Sequence, residues 1–278
     1  MTTPEISLYT NPDCPWAQRV HIVLKELNLP YKQVLIDVDK PREEWHLAIN
    51  PIRRPLFLLS ASSTFTNAHP PLQRDGPHQS GIIAQFLADA HLARETGSET
   101  RPTRGLLTPS NAHQGAIQRA RVALLVDAWV PKVYAVSVDV ILTGEDYATR
   151  TKSLVGVVER EIEPLLVSAS ASASPSAFAR GVDRDGDENG RGSSFFGNSE
   201  TLALAEVLVG PFLLWMFTLV KSEYGILSGD LISVLQERAP RFARWSAMVV
   251  EYESVRCVFD EEWVGDSLKG RSGEKMKE

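Results

Sequence analysis

Apolar and polar residues alternate over Ile6-Ser-Leu8-Tyr9, and apolar residues then recur at helical spacing at Ala17, Val20, Leu24 and Leu27. Between the two patterns lies the turn-forming run Asn11-Pro-Asp-Cys14-Pro15. Period two followed by period 3.6 predicts a strand, a turn and a helix. Asn28-Leu-Pro30 stops that helix. Tyr31 to Val38, rich in β-branched and aromatic side chains, predicts a second strand. A third short strand is expected at Leu56-Phe-Leu-Leu59, after Pro55. The polar stretch Ser60 to Gln79, with Pro70, Pro71 and Asp75-Gly76, reads as a loop. It leads into a helix whose apolar face carries Ile82, Ile83, Phe86, Leu87 and Ala90.

From about residue 111 the period is helical only. Asn111 to Leu142 predicts a long helix interrupted at Pro131, and Thr151 to Val167 a second, with Leu154, Val158, Ile162 and Leu165 on one face. Thr201 to Tyr224 is so apolar between Leu202 and Val220 that it is expected to be a buried central helix, kinked at Pro211. A further helix starts at Pro240 and carries Phe242, Trp245, Val249 and Tyr252. A mixed α/β front joined to an all-helical back predicts two domains. The expected division is an α/β domain over 1–92, a linker over 93–110, a helical domain over 111–265 and a polar tail over 266–278. Within the helical domain, 168–194 begins with a Ser-Ala run and continues as an Asp- and Gly-rich stretch, so it reads as a low-complexity insertion. Its Asp183, Asp185 and Asp187 invite a calcium-loop reading, but neither register supplies both the turn glycine and the terminal bidentate Glu.

Composition narrows the function classes. The chain has 278 residues, 43% hydrophobic and 23% charged, with a formal net charge of -6. Without a long basic run, a nucleic-acid role built on phosphate neutralisation is disfavoured. No apolar stretch reaches the roughly 18 residues of a membrane span. The first residues lack the basic and apolar regions of a secretory leader, so the cytoplasm is the expected location. The six histidines show no ligand pairing at i, i+3 or i, i+4, and no metal is expected.

Two cysteines remain, Cys14 and Cys257. Cys14 falls at or beside the N-cap of the first predicted helix, followed by Pro15. Unpaired backbone N–H groups and the helix dipole there favour thiolate over thiol, which predicts a lowered pKa and a nucleophilic sulfur. A small buried packing residue is the plainer reading of a free cysteine, but a turn position between Asp13 and Pro15 does not suit it. Cys257 lies on no motif and reads as a packing residue. Ser80, at the start of a predicted helix, can cap that helix or help its free N–H groups hold a carboxylate.

The run Tyr9-Thr-Asn-Pro-Asp-Cys14-Pro-Trp16-Ala-Gln-Arg-Val20 resembles the start of the thioredoxin-like domain of cysteine-type glutathione transferases, above all the omega class and its fungal relatives. Asp39-Lys40-Pro41, Trp45, Asn50-Pro51, Pro55, Gln79-Ser80 and Phe195-Phe-Gly-Asn198 continue the resemblance in order. It implies a thioredoxin-like domain followed by a helical-bundle domain, α/β plus all-α, with glutathione as cosubstrate and a homodimeric assembly. It also implies that Cys14 is the catalytic residue and that glutathione contacts Trp16, Lys40, Arg54, Pro55, Gln79 and Ser80. Pro55 would follow a cis peptide bond that turns the Arg54 backbone toward the cysteinyl part of glutathione. Trp129 and Tyr134 would line the pocket for a second substrate. Glu206 takes the acidic place of a capping box whose Ser/Thr partner is here Ala203, with Thr201 or Ser199 as possible replacements.

A redox site of the dithiol type carries a second cysteine three residues on, and here that position is Ala17. A mixed disulfide on Cys14 must then be resolved by an external thiol. The resemblance therefore implies thiol transfer or deglutathionylation through Cys14, resolved by a second glutathione. Conjugation of glutathione to a quinone, epoxide or similar electrophile in detoxification or secondary metabolism is the alternative. A non-catalytic binding or regulatory protein on the same fold is the third.

Overall fold

A computed structural model of the chain describes residues 6–11, 13–37, 40–41, 43–49, 57–60, 78–95, 105–142, 147–166, 195–197, 199–224 and 226–267. The loop over 61–77, the middle of the expected linker over 96–104 and the insertion over 168–194 lie outside them.

The central strand β1 (Ile6–Thr10) pairs in parallel with β2 (Tyr31–Leu35) and antiparallel with β3 (Phe57–Ser60). Leu8 stands opposite Gln33 on one side and Leu58 on the other. A parallel pair requires a crossover, and helix α1 (Pro15–Glu26) supplies it. β2 ends at Leu35 rather than running to Val38, although the Ile36 N–H still reaches the Thr10 carbonyl at 2.8 Å. A short helix that the periodicity did not predict, α2 (Glu44–Ile49), precedes β3.

α1 is buried on all sides from Ala17 to Leu24, because it packs between α3 (His78–Glu95) and the later helix α7 (Leu204–Thr218). On α3 the buried face holds Ser80, Ile83, Ala84, Leu87 and Ala88, while Ile82 is 58% exposed, contrary to the predicted face. Small side chains at 84 and 88 let α3 approach its neighbours.

In the helical half, α4 (Gly115–Ala128) runs into a π-helical turn over Trp129–Tyr134 and on into α5 (Ala135–Leu142). The interruption expected at Pro131 is this widened turn. Proline has no N–H for the i−4 carbonyl and its ring crowds that position, so the chain accommodates it with i→i+5 spacing. α6 (Tyr147–Val157) ends in a second π-helical turn, Val158–Ile162, and a 3-10 turn, Glu163–Leu166. α8 (Leu231–Arg238) was not predicted, and α9 (Pro240–Val250) begins with proline in its first turn as expected. α8 buries only Leu231 and Leu235, too brief a pattern to be read from spacing.

α7 is the centre of the molecule, with every residue from Leu204 to Leu214 buried, and it continues through Pro211. Gly210 allows a close approach on this helix: a Cβ there would lie 2.9 Å from Val255 Cγ1 and 3.3 Å from Val249 Cγ1. The start of α7 is tied down by Glu206, fully buried. Its Oε2 accepts the Ala203 N–H at 3.0 Å, and its Oε1 accepts the Phe196 N–H at 2.6 Å and the Trp245 indole N–H at 2.7 Å. Ala203 has no side-chain cap to offer, and Glu206 instead ties the start of α7 to Phe196 and Trp245. Ser199 and Thr201 bond each other's groups instead.

Candidate functional site

The turn after β1 is built by its own sequence. Asn11 Oδ1 accepts the Asp13 N–H at 2.9 Å and the Asn11 carbonyl accepts the Cys14 N–H at 3.1 Å, which places Cys14 at the N-cap of α1 in an extended conformation. Pro15 is the first helical residue, where its absent N–H costs nothing. The Cys14 carbonyl accepts the N–H groups of Ala17 at 2.9 Å and Gln18 at 3.0 Å, closing the first turn.

Cys14 is half-buried and packs against the core. The lowered pKa expected for it is not what its surroundings produce. Burial pushes the thiol above its ordinary value; the Ala17 and Trp16 N–H groups and the Arg19 charge oppose that, and Asp13 adds to it. The sulfur makes no full capping hydrogen bond, so the helix terminus lacks the contact that would let it win.

Next to Cys14, three rings from three elements meet. Trp16 of α1 stands edge-on to Tyr134 at 5.0 Å and to Phe212 of α7 at 4.6 Å, and Tyr134 meets Phe212 at 5.0 Å. Arg19, 1% exposed, lies against this cluster with its guanidinium 4.5 Å from the Trp16 ring and 4.8 Å from that of Phe212. Its Nε donates to the Leu208 carbonyl at 2.7 Å and its Nη1 to Ser80 Oγ at 3.4 Å. Burial pulls Arg19 down to about 9, so it carries its charge at neutral pH.

Of the residues expected at the site, Cys14, Trp16, Tyr134 and Ser80 are thus linked through α1 and Arg19. Ser80 is 2% exposed in the first turn of α3, and Gln79 precedes it in the same turn. Trp129 is corrected: it is 1% exposed and stacks on Phe242 at 6.1 Å, so it is a core residue of the helical half rather than a pocket wall. Lys40 is exposed and pairs with Asp37 at 2.8 Å. Arg54 and Pro55 lie outside the described residues. Arg19 and Phe212 were missed. A charged residue among the buried positions of α1 was the available signal for Arg19.

Two hollows lie elsewhere. One of about 370 Å³ sits between α7, α8 and α9, lined by Leu214, Phe217, Leu235 and Val250. A more open one, about 580 Å³, is lined by His21, Lys25, Tyr31 and the half-buried Cys257. Neither is lined by Cys14. Among the described residues no helix is long and apolar enough to cross a membrane, and no group of three or more His, Cys, Asp and Glu could hold one metal ion.

The family model for the N-terminal domain of glutathione S-transferases matches residues 8–54. Among solved structures, glutathione transferase Omega 2C from Trametes versicolor superposes with a TM-score of 0.66 at 21% identity, covering 97% of this chain and 100% of that one. The fold is that of a glutathione transferase.

Two further glutathione transferases of this fold extend the comparison. Omega 2S from Trametes versicolor, solved in complex with 2,4-dihydroxybenzophenone, gives a TM-score of 0.60 at 20% identity and covers 99% of this chain and 100% of that one. Rice GST1, solved with glutathione, gives 0.60 at 20% identity, with 99% of each chain covered. No curated protein sequence matches the chain. In the glutathione transferase fold adopted here, Cys14 follows the turn after the central strand, at the N-cap of α1, and the Trp16–Tyr134–Phe212 cluster joins the thioredoxin-like half to the helical one.

Proposed function

We propose that the protein is a glutathione-dependent transferase of the cysteine type, omega-like, that moves a glutathionyl group through Cys14. The observation that carries this reading is a lone thiol at the N-cap of α1, with Ala17 in place of a second cysteine and an N–H pair and a buried cation beside it. The Cys14 thiolate attacks the glutathionyl sulfur of a mixed disulfide, that S–S bond breaks, and the substrate leaves as its thiolate. A second glutathione thiolate then attacks the Cys14 mixed disulfide, releasing oxidised glutathione and restoring the Cys14 thiolate. Ser80 and the N–H groups opening α3 are suited to a carboxylate of glutathione, and Gln79 and Trp16 stand in the same region. Lys40, Arg54 and Pro55 complete the proposed glutathione contacts. We assign the activity to a cytoplasmic homodimer with an α/β domain over 1–92 and a helical domain over 111–265.

One observation favours a second reading. The aromatic cluster beside Cys14 suits an aromatic electrophile, and a similar structure was solved with a benzophenone. In that case the protein conjugates glutathione to the electrophile, in detoxification or secondary metabolism. The deciding experiment treats wild type and Cys14→Ser with oxidised glutathione and weighs the intact proteins before and after reduction. A reducible glutathionyl adduct on wild type alone supports thiol transfer. No adduct, together with glutathione-dependent consumption of an electrophile such as a quinone, supports conjugation and overturns the first reading; neither result leaves a binding protein.

A further inference from the structure

Arg19 is a buried charge with no counter-charge among the described residues. Its guanidinium is held by a carbonyl, a hydroxyl and two aromatic faces, its Nη2 has no hydrogen-bond partner, and no ion pair joins it to a carboxylate among the described residues. Neutral partners recover only part of what a buried ion loses on leaving water. A cation kept in such a place, with one donor group unused, marks where an anion belongs. The titratable groups its charge reaches are Cys14 and Tyr134.

We propose that Arg19 is the counter-charge of the Cys14 thiolate, a positioning residue on the helix that Cys14 caps, stacked on Trp16 and with one buried donor group left for an anion. The inference rests on the reading of Cys14 as the nucleophile and adds how a half-buried sulfur becomes one. The thiol form prevails while the site is at rest, and Arg19 lowers the cost of the thiolate when it is needed, both at attack and when Cys14 leaves the mixed disulfide. The same guanidinium donates to Ser80 Oγ, which leaves the Ser80 proton free to be donated to a ligand carboxylate. One buried charge thus serves both anionic points of the site. Asp13 beside it also bears on the sulfur, Asp260 acts on Asp13, and Tyr134 across the aromatic cluster acts on Arg19.

The test is the pH profile of Cys14 alkylation by iodoacetamide, read by peptide mass in wild type, Arg19→Lys and Arg19→Gln, with Cys257 in the same molecule as the marker of an intact fold. It uses neither glutathione nor substrate, so it can fail while adduct formation succeeds, and the reverse. Arg19→Lys is expected to keep the wild-type profile. Arg19→Gln is expected to move it about one pH unit higher, an approximately tenfold slower reaction at pH 7.5, with Cys257 unchanged. Equal profiles for wild type and Arg19→Gln, or equal shifts in the Lys and Gln variants, overturn the proposal. If Arg19→Gln exposes both thiols, the pair is tested from the other side. Cys14→Asp should then unfold at a higher urea concentration than Cys14→Asn at pH 7, because a fixed carboxylate meets the waiting cation; the opposite order overturns the proposal.

Discussion

Replacing Glu206 by alanine tests whether one buried carboxylate holds three segments together. The side chain is fully buried, and its two oxygens accept N–H groups from Phe196, Ala203 and the Trp245 ring, which belong to the 195–197 turn, the start of α7 and α9. Alanine leaves those three donors without an acceptor in a site closed to solvent. At about 1–3 kcal/mol for each of the three orphaned groups, the loss is on the order of 3–9 kcal/mol, a large part of a typical domain's stability. Glutamine separates the hydrogen bonds from the bulk of the side chain. Its carbonyl oxygen can keep the Phe196 and Trp245 donors, but its amide nitrogen then faces the Ala203 N–H, so the expected cost is smaller, about 1–3 kcal/mol. Urea denaturation of the three proteins at pH 7, compared at a common slope, gives both numbers. If Glu206→Ala falls within about 1 kcal/mol of wild type, or Glu206→Gln costs as much as alanine, the carboxylate is not the tie described here.

Other outcomes follow from the same packing. His21 is buried between the Tyr31 hydroxyl at 2.8 Å and Thr10 Oγ1 at 3.1 Å, and burial brings its pKa down to about 4. A lowered folded-state value means that its stabilising share is complete above the ordinary value near 6.5 and is lost as pH falls toward 4. That loss is roughly 3 kcal/mol in all, and His21→Asn should flatten the fall in urea midpoint between those pH values. Gly210→Val places two methyl groups where a single Cβ already meets Val255 at 2.9 Å, so it should destabilise by at least about 1–3 kcal/mol in urea unfolding, while Ala205→Gly on the same helix leaves the α7 packing against Val255 intact. Lys25 pairs with Glu253 at 2.8 Å, but the two side chains are 42% and 89% exposed, so Lys25→Ala should leave the thermal midpoint unchanged; a drop of several degrees would refute that reading.

Much of the architecture was open to reading because the signals were local. Pro15 after a turn marks the start of α1, Pro240 that of α9, and the apolar run from Leu202 to Val220, interrupted only by Glu206 and Thr218 among its polar side chains, marks a buried central helix. Where the outcome depended on what a helix packs against, the pattern was insufficient. Ile82 and Ile83 are indistinguishable by composition, yet α3 turns 83 inward and leaves 82 exposed. Trp129 and Tyr134 lie five residues apart in one helical run, and the π-helical turn at Pro131 changes the angle between them. Trp129 goes into the helical core against Phe242 and Tyr134 toward Trp16, and helical spacing alone does not say which of the two faces borders the α/β half.

The thiol shows most plainly what a motif omits. A cysteine before a helix-opening proline announces its position, and the helix terminus then argues for acidity. Acidity, however, is a difference between two environments, and how far the sulfur is removed from water is decided by tertiary contacts that sequence spacing does not contain. Here burial outweighs the two N–H groups, so position alone predicted the direction wrongly. The burial that disfavours the free thiolate also strengthens every charge interaction near the sulfur. The group best placed to exploit that is Arg19, five residues along the same helix, held between Trp16 and Phe212 with one nitrogen unpaired. In the sequence it is one basic residue among apolar neighbours. Only when α7 brings Phe212 and the Leu208 carbonyl to it does it become a fixed charge on the helix that Cys14 caps.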